Sequence, residues 1–445
     1  MKAFLKGMYL SNNVYYVSAG LIVLFASGYY FPVAFGLAKG LTTGFIALVL
    51  IDILLLYNSS NLRIKANRVL PEKLSNGDEN RITLRIKNHY RFKVRAVIID
   101  EIPFQFQKRD FEIRRILNPG EDLTINYLLR PVKRGSYLFG KLNIYGSSFI
   151  GFIQRRFSFD DEAEVPVYPS FIQMRKYELM AISNRLSEAG IKKLRKISNN
   201  VEFEQIRTYV AGDDFRTINW KATARKTSLM VNQYQDEKAQ RVYSIIDMGR
   251  TMKMPFDKMS LLDYAINAAL VISNIAIYKQ DKAGLITFDR KIRSLVPAER
   301  RNTQMHQISE VLYRQETNYD ESDFNLLYTT IKRKIRQRSL LLIYTNFEGL
   351  ISLERQIHYF KQLAKHHLVT VIFFDNTEIL KIRNERPKDT EEVYIKTIAE
   401  KYSYDKKMIV KELKRAGVHS VLTEPQNLTV ATINKYLEFK ARGFI

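Results

Sequence analysis

The sequence predicts an α/β protein: a doubly wound, mainly parallel sheet, preceded by a small antiparallel β-sandwich and an N-terminal two-helix transmembrane hairpin. Three observations carry this expectation. No charged residue interrupts the chain between Lys6 and Lys39, and a second apolar segment follows at once. From Asn61 to about Tyr168, short period-two runs alternate with turn residues, the texture of half-buried strands. From about Gln240 onward, apolar strand-like runs alternate with helical periodicity, as a parallel sheet with crossover helices requires.

The hairpin is expected within residues 1–60, with spans at about 14–37 and 41–57 and a tight turn at Lys39-Gly40. About 20 apolar residues cross a bilayer core, and a cleavable secretory signal has a shorter apolar region. Asp52 falls inside the second span, where a carboxylate is a functional candidate by default; the plainer expectation is that it reaches the headgroups or a polar group of the first span. Lys2 and Lys6 precede the spans, Arg63, Lys65, Arg68 and Lys73 follow them, and only Lys39 sits in the expected turn. The positive-inside rule therefore places both ends and the soluble part in the cytoplasm. The formal net charge of +24 then has a partner in the anionic leaflet alongside. There is no cysteine, which excludes a disulfide framework and thiolate chemistry.

In the β-sandwich region, 61–169, Ile82, Leu84 and Ile86 alternate with Arg81, Thr83, Arg85 and Lys87. Val94–Ile99, Leu123–Leu129 and Lys141–Tyr145 read the same way, separated by Ser75-Asn76-Gly77, Pro119-Gly120 and Arg134-Gly135. Val165–Pro169 is expected to leave the sandwich, because its two prolines break pairing. A connector, 170–239, opens with helix and loop carrying Lys192, Lys193, Arg195 and Lys196, expected to be a solvated basic face.

The α/β region, 240–445, has strands expected at Val242–Ile246, Ala283–Phe288, Leu340–Tyr344, Val369–Phe374 and Val418–Leu422. Ser260 to Asp263 has capping-box spacing and opens a helix that is apolar nearly all round. Phe324–Gln337 is amphipathic, and Asp389–Ala416 begins with acidic residues and is followed by Gly417, as caps and dipole prefer. Thr429–Lys440 closes the series.

Sites in such sheets form at the carboxyl ends of the strands. Asp247 to Thr251, Thr317 with Asp320, and Thr345-Asn346 are expected there. Their oxygens would suit Mg²⁺; the alternative is that Asp247 and Thr251 only cap the helix that follows. There is no phosphate-cradling glycine loop, no Gly-x-Ser-x-Gly and no His-Glu-x-x-His. The basic run Lys332–Arg338 lacks aromatic interleaving, so a nucleic-acid partner is not expected.

The most distinctive stretch is Val201–Val231, within the connector. It places Glu202, Glu204, Arg207, Asp213, Asp214, Arg216, Lys221 and Arg225 among Phe203, Tyr209 and Trp220, the chain's single tryptophan. One expectation is a structural belt clamped to the α/β region by paired charges, with Trp220 buried as an anchor. Another is a partner-binding surface. A third is an enzyme site built from the charges between 202 and 225, acting on an envelope or phosphorylated substrate.

The run from Gly212 to Arg225, GDDFRTINWKATAR, resembles the signature of the bacterial domain-of-unknown-function family 58. The resemblance implies two spans, a β domain, the signature and then a von Willebrand factor A-like domain. It also implies a cytoplasm-facing protein of the bacterial inner membrane, of a kind often associated with MoxR-type AAA+ ATPases. The anchor, a degenerate site at the crest and the absence of catalytic motifs point to a non-enzymatic interaction module. The von Willebrand A fold carries a metal-ion-dependent adhesion site. By position Asp247 and Thr251 match it, Gly249 replaces its first serine, Thr317 stands for the distant threonine, and Asn346 replaces the distant aspartate.

Overall fold

The computed structural model describes residues 7–57, 64–159, 162–182, 190–191, 202–226, 228–235, 239–301, 303–317 and 320–444. The basic cluster from Lys192 to Lys196 lies outside the described residues. The chain divides into two compact units, Met1–Tyr168 and Pro169–Ile445.

The first unit begins with β1 (Met8–Leu10), then helix α1 (Asn12–Ser27) and helix α2 (Pro32–Tyr57). The helices meet at residues 28–31, so the expected turn at Lys39-Gly40 is wrong. Pro32 lacks an N–H and has a fixed φ, which suits the first turn of a helix and nowhere later. Nothing at positions 39 and 40 removes a helical hydrogen bond. The hydroxyls of Thr42 and Thr43 donate back to the carbonyls of Ala38 (2.7 Å) and Lys39 (3.0 Å), and the Lys39 ammonium sits 4.5 Å over the Phe35 ring. With 26 residues rising about 39 Å in all, α2 is long and apolar enough to cross a membrane. The 16 residues of α1 rise about 24 Å, short of the roughly 30 Å hydrocarbon core. A helix at Leu261–Tyr278 has the composition of a span too, but 78% of its apolar window is buried within its own unit, as in a core helix.

The rest of this unit is a sandwich of β2 (Ile64–Val69), β3 (Leu74–Ser75), β4 (Asn80–Asn88), β5 (Val94–Asp100), β6 (Glu112–Leu117), β7 (Asp122–Leu129), β8 (Gly135–Phe139), β9 (Leu142–Ser147), β10 (Ile153–Phe159) and β11 (Ala163–Tyr168). One antiparallel sheet runs β1-β10-β9-β5-β6 and a second runs β2-β4-β7. Ile64, Leu84 and Ile86 from the second pack against Val94, Ala96, Ile98, Leu142 and Ile144 from the first. Val165–Tyr168 does not leave the sandwich as expected. It belongs to β11, which pairs along its length with β8, while β3 reaches only Val167 and Tyr168. Pro166 thus sits where one edge is open, and a missing N–H is tolerated there.

The sandwich holds the hairpin at both ends. Before α1, β1 adds an edge strand to β10. At the far end Asp52 is fully buried, reaching neither headgroups nor the first helix. Its carboxylate accepts from the Ser148 hydroxyl (2.5 Å) and the amides of Phe152 and Ile153 (2.8 Å each). The carbonyl of Leu56, one of those a helix end leaves open, accepts from the Tyr90 hydroxyl (2.8 Å) and the Arg155 guanidinium (2.7 Å).

The second unit opens with α3 (Phe171–Ile182) and an arm made of β12 (Glu202–Thr208) and β13 (Met230–Gln235), with a short helix α4 (Trp220–Thr223) between them. Its main sheet contains β14 (Arg241–Asp247), β17 (Lys282–Phe288), β18 (Ile292–Glu299), β19 (Leu340–Tyr344), β20 (Leu368–Phe374) and β21 (His419–Thr423). A two-residue pair, β15 (Pro255–Phe256) and β16 (Met259–Ser260), precedes helix α5 (Leu261–Tyr278). The helices that follow are α6 (Gln304–Tyr313), α7 (Phe324–Lys334), α8 (Leu350–Glu354), α9 (Ile357–Ala364), α10 (Thr377–Asn384), α11 (Thr390–Arg415) and α12 (Leu428–Ala441).

The sheet order is β18-β17-β14-β19-β20-β21, parallel throughout except for β18. Along β14, Val242 and Ile246 face a core built with α5, α6 and α12, whereas Tyr243 and Ile245 face one built with α7, α9 and α11. Helices therefore cover both faces, and α5 is buried nearly all round, as its sequence predicts. Ser260 and Asp263 form the expected capping box on it. After β14 the chain builds β17 and β18 to one side, then returns to place β19 on the other. That reversal puts the ends of β14 and β19 next to each other, where sheets of this order leave a crevice.

Candidate functional site

Asp247 ends β14 at this crevice, and Thr345-Asn346 follow β19. A cleft of about 670 Å³ opens over them, and its lining includes Asp247, Arg250, Thr251, Asp320, Asn346 and Glu348. Thr317 is not part of that lining, although three of the four residues assigned by resemblance are.

The carboxylate of Asp247 is engaged on every side. One oxygen accepts from the Gly249 amide (2.8 Å) and the Ser322 hydroxyl, the other from the Thr345 hydroxyl (2.6 Å). Burial raises its pKa, while these donors pull it back down and the nearby Asp289 adds to the rise. Asp289 is itself buried and takes two nitrogens of Arg293 at 2.7 Å. Gly249 has a steric reason. A Cβ there would collide with the Ser322 hydroxyl and lie 3.1 Å from an Asp247 oxygen. Ser322 thus fills the place that a serine at 249 would take.

Asn346 is paired to a residue that the sequence reading missed. Its side-chain oxygen accepts from the Lys406 ammonium at 2.9 Å, and the same ammonium donates to the Phe347 carbonyl at 2.7 Å. Lys406 is 1% exposed, and its ammonium lies 5.1 Å over the Tyr402 ring and 5.5 Å over that of Phe373. Burial pushes its pKa down to about 7, against the pull of Asp375. A signal for it exists in the helical period: Ala399, Ser403, Lys406, Ile409 and Leu413 form the buried stripe of α11.

Mg²⁺ is bound through one or two carboxylates and keeps several waters. Asp247, Asp320, Glu321, Asp323 and Glu348 line the cleft, and of these Asp247 is already held by three protein donors and lies near the buried Lys406 amino group. Among the described residues no group of three histidine, aspartate or glutamate side chains is placed to hold a metal.

The signature stretch forms the arm, whose two strands pair with each other and with no other sheet. It is therefore not a belt with a buried anchor. Trp220 is 69% exposed and Phe215 is 72% exposed. Tyr209 stacks on Phe215 at 5.8 Å. The turn is held locally: the Asp214 side chain accepts from the Arg216 amide (2.9 Å), and Asn219 caps α4 through the Ala222 amide (3.0 Å). Asp213 accepts from Arg207 (2.6 Å) and from the Val210 amide (2.9 Å), and the Arg207 bond foremost lowers its pKa. Arg216, Lys221 and Arg225 are exposed. The Glu202 side chain lies outside the described residues. None of these residues lines the crest cleft.

These features define a mixed α/β chain with a mostly parallel sheet and apolar N-terminal helices. Residues 205–401, from the arm through most of the sheet, match the family described as Protein of unknown function DUF58. The Uncharacterized protein YeaD of Bacillus subtilis is 22% identical over 181 residues, 39% of this chain and 45% of that protein. The Uncharacterized protein Rv1480 of Mycobacterium tuberculosis is 22% identical over 175 residues, 39% of this chain and 55% of that one. The chain thus spans about half the length of the curated relatives it matches. Among solved structures, the conserved hypothetical protein BatB from Bacteroides thetaiotaomicron aligns with 46% of this chain and 99% of its own, at 13% identity and a TM-score of 0.32. A PapD-like domain of human CEP192 aligns with 25% of this chain and 90% of its own, at 10% identity and a TM-score of 0.20. Likenesses at these scores carry no argument about fold or function.

Proposed function

We propose that this chain is a membrane-anchored interaction module without catalytic activity of its own. Its soluble units face the cytoplasm of a bacterial cell, its second unit is von Willebrand A-like, and its arm docks a partner protein. The observation that carries the reading is the arm: two large aromatics, Phe215 and Trp220, stand mostly in solvent beside Arg216 and Lys221. Exposed aromatics next to arginine are the composition of binding hot spots. The enzyme alternative needs the same charges to converge in a pocket with carboxylates left open. Instead Asp213 is paired with Arg207, and Asp214 caps its own turn. At the crest, Asp247 is held by uncharged donors, the Gly249 amide and the Ser322 and Thr345 hydroxyls. The crest acts in this reading as a rigid, metal-independent platform, with the Lys406 ammonium in place of a cation.

A MoxR-type AAA+ ATPase is the partner class that the family resemblance implies. Tagged full-length protein and its Phe215→Ala/Trp220→Ala variant, recovered from detergent-solubilised membranes, provide the test. The ATPase is expected with the parent and depleted at least tenfold with the variant. Equal recovery, or no ATPase with either, refutes the proposal.

A further inference from the structure

The basic run Lys332–Arg338, which the docking role does not use, contributes to a groove between α7 and α9. These helices pack side by side, with the rings of Phe324 and Phe360 5.3 Å apart and those of Tyr328 and Tyr359 6.4 Å apart. Their C-terminal ends lead into β19 and β20, so the groove lies at the edge of the sheet opposite the crest. It measures about 270 Å³. Lys332 and Arg336 line it from α7 and the residues that follow, and Gln362, His366 and His367 line it from the end of α9. Among the described residues no carboxylate lines it.

Basic residues at the end of a helix have a plain use, offsetting its dipole, and Lys332, Arg333 and Lys334 fill the last turn of α7. Arg336 lies beyond that helix, so this use does not cover it. Lys332 and Arg336 are both exposed, and among the described residues neither has a carboxylate partner; the Lys332 ammonium rests 5.8 Å over the Tyr328 ring. The Leu363 carbonyl, at the end of α9, already accepts from the amides of His366 (3.1 Å) and His367 (3.0 Å), so it adds little open negative charge. His367 points to a ligand independently. It is 7% exposed yet lines the groove, and its Nδ1 is buried with no hydrogen-bond partner. A buried donor without a partner is costly, which puts the ring proton on Nε2, the nitrogen that is not shut away. Burial, and then His366 beside it, lower the His367 pKa, so the ring is neutral near pH 7 and donates through that one N–H.

We infer that this groove binds a small phosphate monoester, whose dianionic group is held by Lys332, Arg336 and the His367 N–H. Two fixed cations match two negative charges, whereas a carboxylate would leave one cation unmatched. The planar fork of arginine fits phosphate oxygens as well as attracting them, and lysine adds a point charge. The imidazole supplies a donor of fixed direction, because burial holds the ring while the two long cations can swing. Buried Ile335 and Leu363 form the apolar part of the lining, against which the organic stem of the ester lies. A volume of about 270 Å³ suits a phosphate with a small stem.

The test uses the full chain in uncharged detergent and phosphate-free buffer, with phenyl phosphate as probe and calorimetric titration as readout. Each charge-assisted hydrogen bond is worth about tenfold or more in association. Phenyl phosphate is therefore expected to bind saturably and at least about tenfold more tightly than benzoate, a monoanion with the same ring. Lys332→Gln/Arg336→Gln should weaken it at least about tenfold. Lys407→Gln/Lys411→Gln, which removes two exposed charges from α11, should leave it unchanged. His367→Phe should also weaken binding about tenfold without lowering the melting temperature, since the new ring buries no unpartnered nitrogen. Absence of saturable binding, equal affinity for benzoate, or an equal loss in the α11 variant overturns the inference. So does a folded His367→Phe protein that binds as the parent does. A single-stranded oligonucleotide that displaces phenyl phosphate at lower concentration than inorganic phosphate does would assign the groove to nucleic acid and overturn the claim. The arm takes no part in these titrations, so their failure leaves the docking reading standing.

Discussion

Lys406 makes a prediction whose magnitude can be worked from the fold. An unfolded lysine titrates near 10.5, while burial brings this one to about 7. Below pH 7 the ammonium is charged in both states, and the native state bears the full burial penalty. Between 7 and 10.5 the unfolded chain holds a proton that the native state has released, so stability rises with pH across that window. Above 10.5 both forms are neutral and the penalty is gone. From about pH 6 to about pH 9 the gain is about 2.5 kcal/mol, using about 1.4 kcal/mol per unit and allowing for half-titration near 7. For a unit of this size that corresponds to roughly 5–10 °C in melting temperature. Lys406→Met keeps the length and polarisable bulk of the side chain but cannot titrate. It also leaves the Asn346 side-chain oxygen and the Phe347 carbonyl without their donor, at about 1–3 kcal/mol each, an offset that does not vary with pH. The discriminating quantity is therefore the slope. Calorimetry of parent and variant should show a difference in melting temperature that shrinks or grows by about 5–10 °C between the two pH values. A difference that stays constant would refute the reasoning.

Other expectations follow from the same contacts. Asp52→Ala strips the acceptor from two backbone amides and a hydroxyl, and should lower stability by about 3–5 kcal/mol; faster proteolysis within 148–153 would show it, and unchanged cleavage would contradict it. Asp281 accepts from Tyr436 (2.5 Å), Lys440 (2.8 Å) and the Gln240 amide (3.1 Å), tying α12 to the start of the sheet. Asp281→Ala leaves a lysine charge unmatched and should cost about 3–5 kcal/mol in denaturant titration. Gly249→Ser should destabilise by about 1–3 kcal/mol through overlap with Ser322, and Ser322→Gly in the same chain should restore most of that loss. Mg²⁺ at a hundred times the dissociation constant of a real site would add about 2.7 kcal/mol. The melting transition is expected not to move with millimolar Mg²⁺, and a shift of that size would refute a metal-independent crest.

Periodicity made the sheet legible because its strands are buried on both faces. Runs such as Leu340–Tyr344 and Val369–Phe374 have no other use in a soluble layer, and Ser260 with Asp263 marks the start of α5 at the right residue. Turn chemistry within the hairpin was less legible. Lys39-Gly40 reads as a break on composition, yet a helix in an apolar setting retains glycine and lysine as long as no backbone bond is lost, and only Pro32 forces the issue. Pro166 misleads in the opposite direction, since a proline beside an open edge is compatible with a strand. Trp220 shows the limit of reading burial from residue type. A lone tryptophan among alternating charges suggests an anchor, but burial depends on what packs against it, and the arm pairs only with itself.

The crest joins these lines. The resemblance supplied positions for a cation site, and the sequence alone marked Gly249 and Asn346 as departures from it. In the fold both departures have partners sixty or more residues away: Ser322 occupies the space over Gly249, and Lys406 pairs with Asn346. Each partner looks ordinary in its own segment, a serine in a loop and one lysine among many in α11. The two changes are coherent when taken together. The Asn346 side-chain oxygen accepts from the Lys406 amino group, where an aspartate would suit a divalent cation.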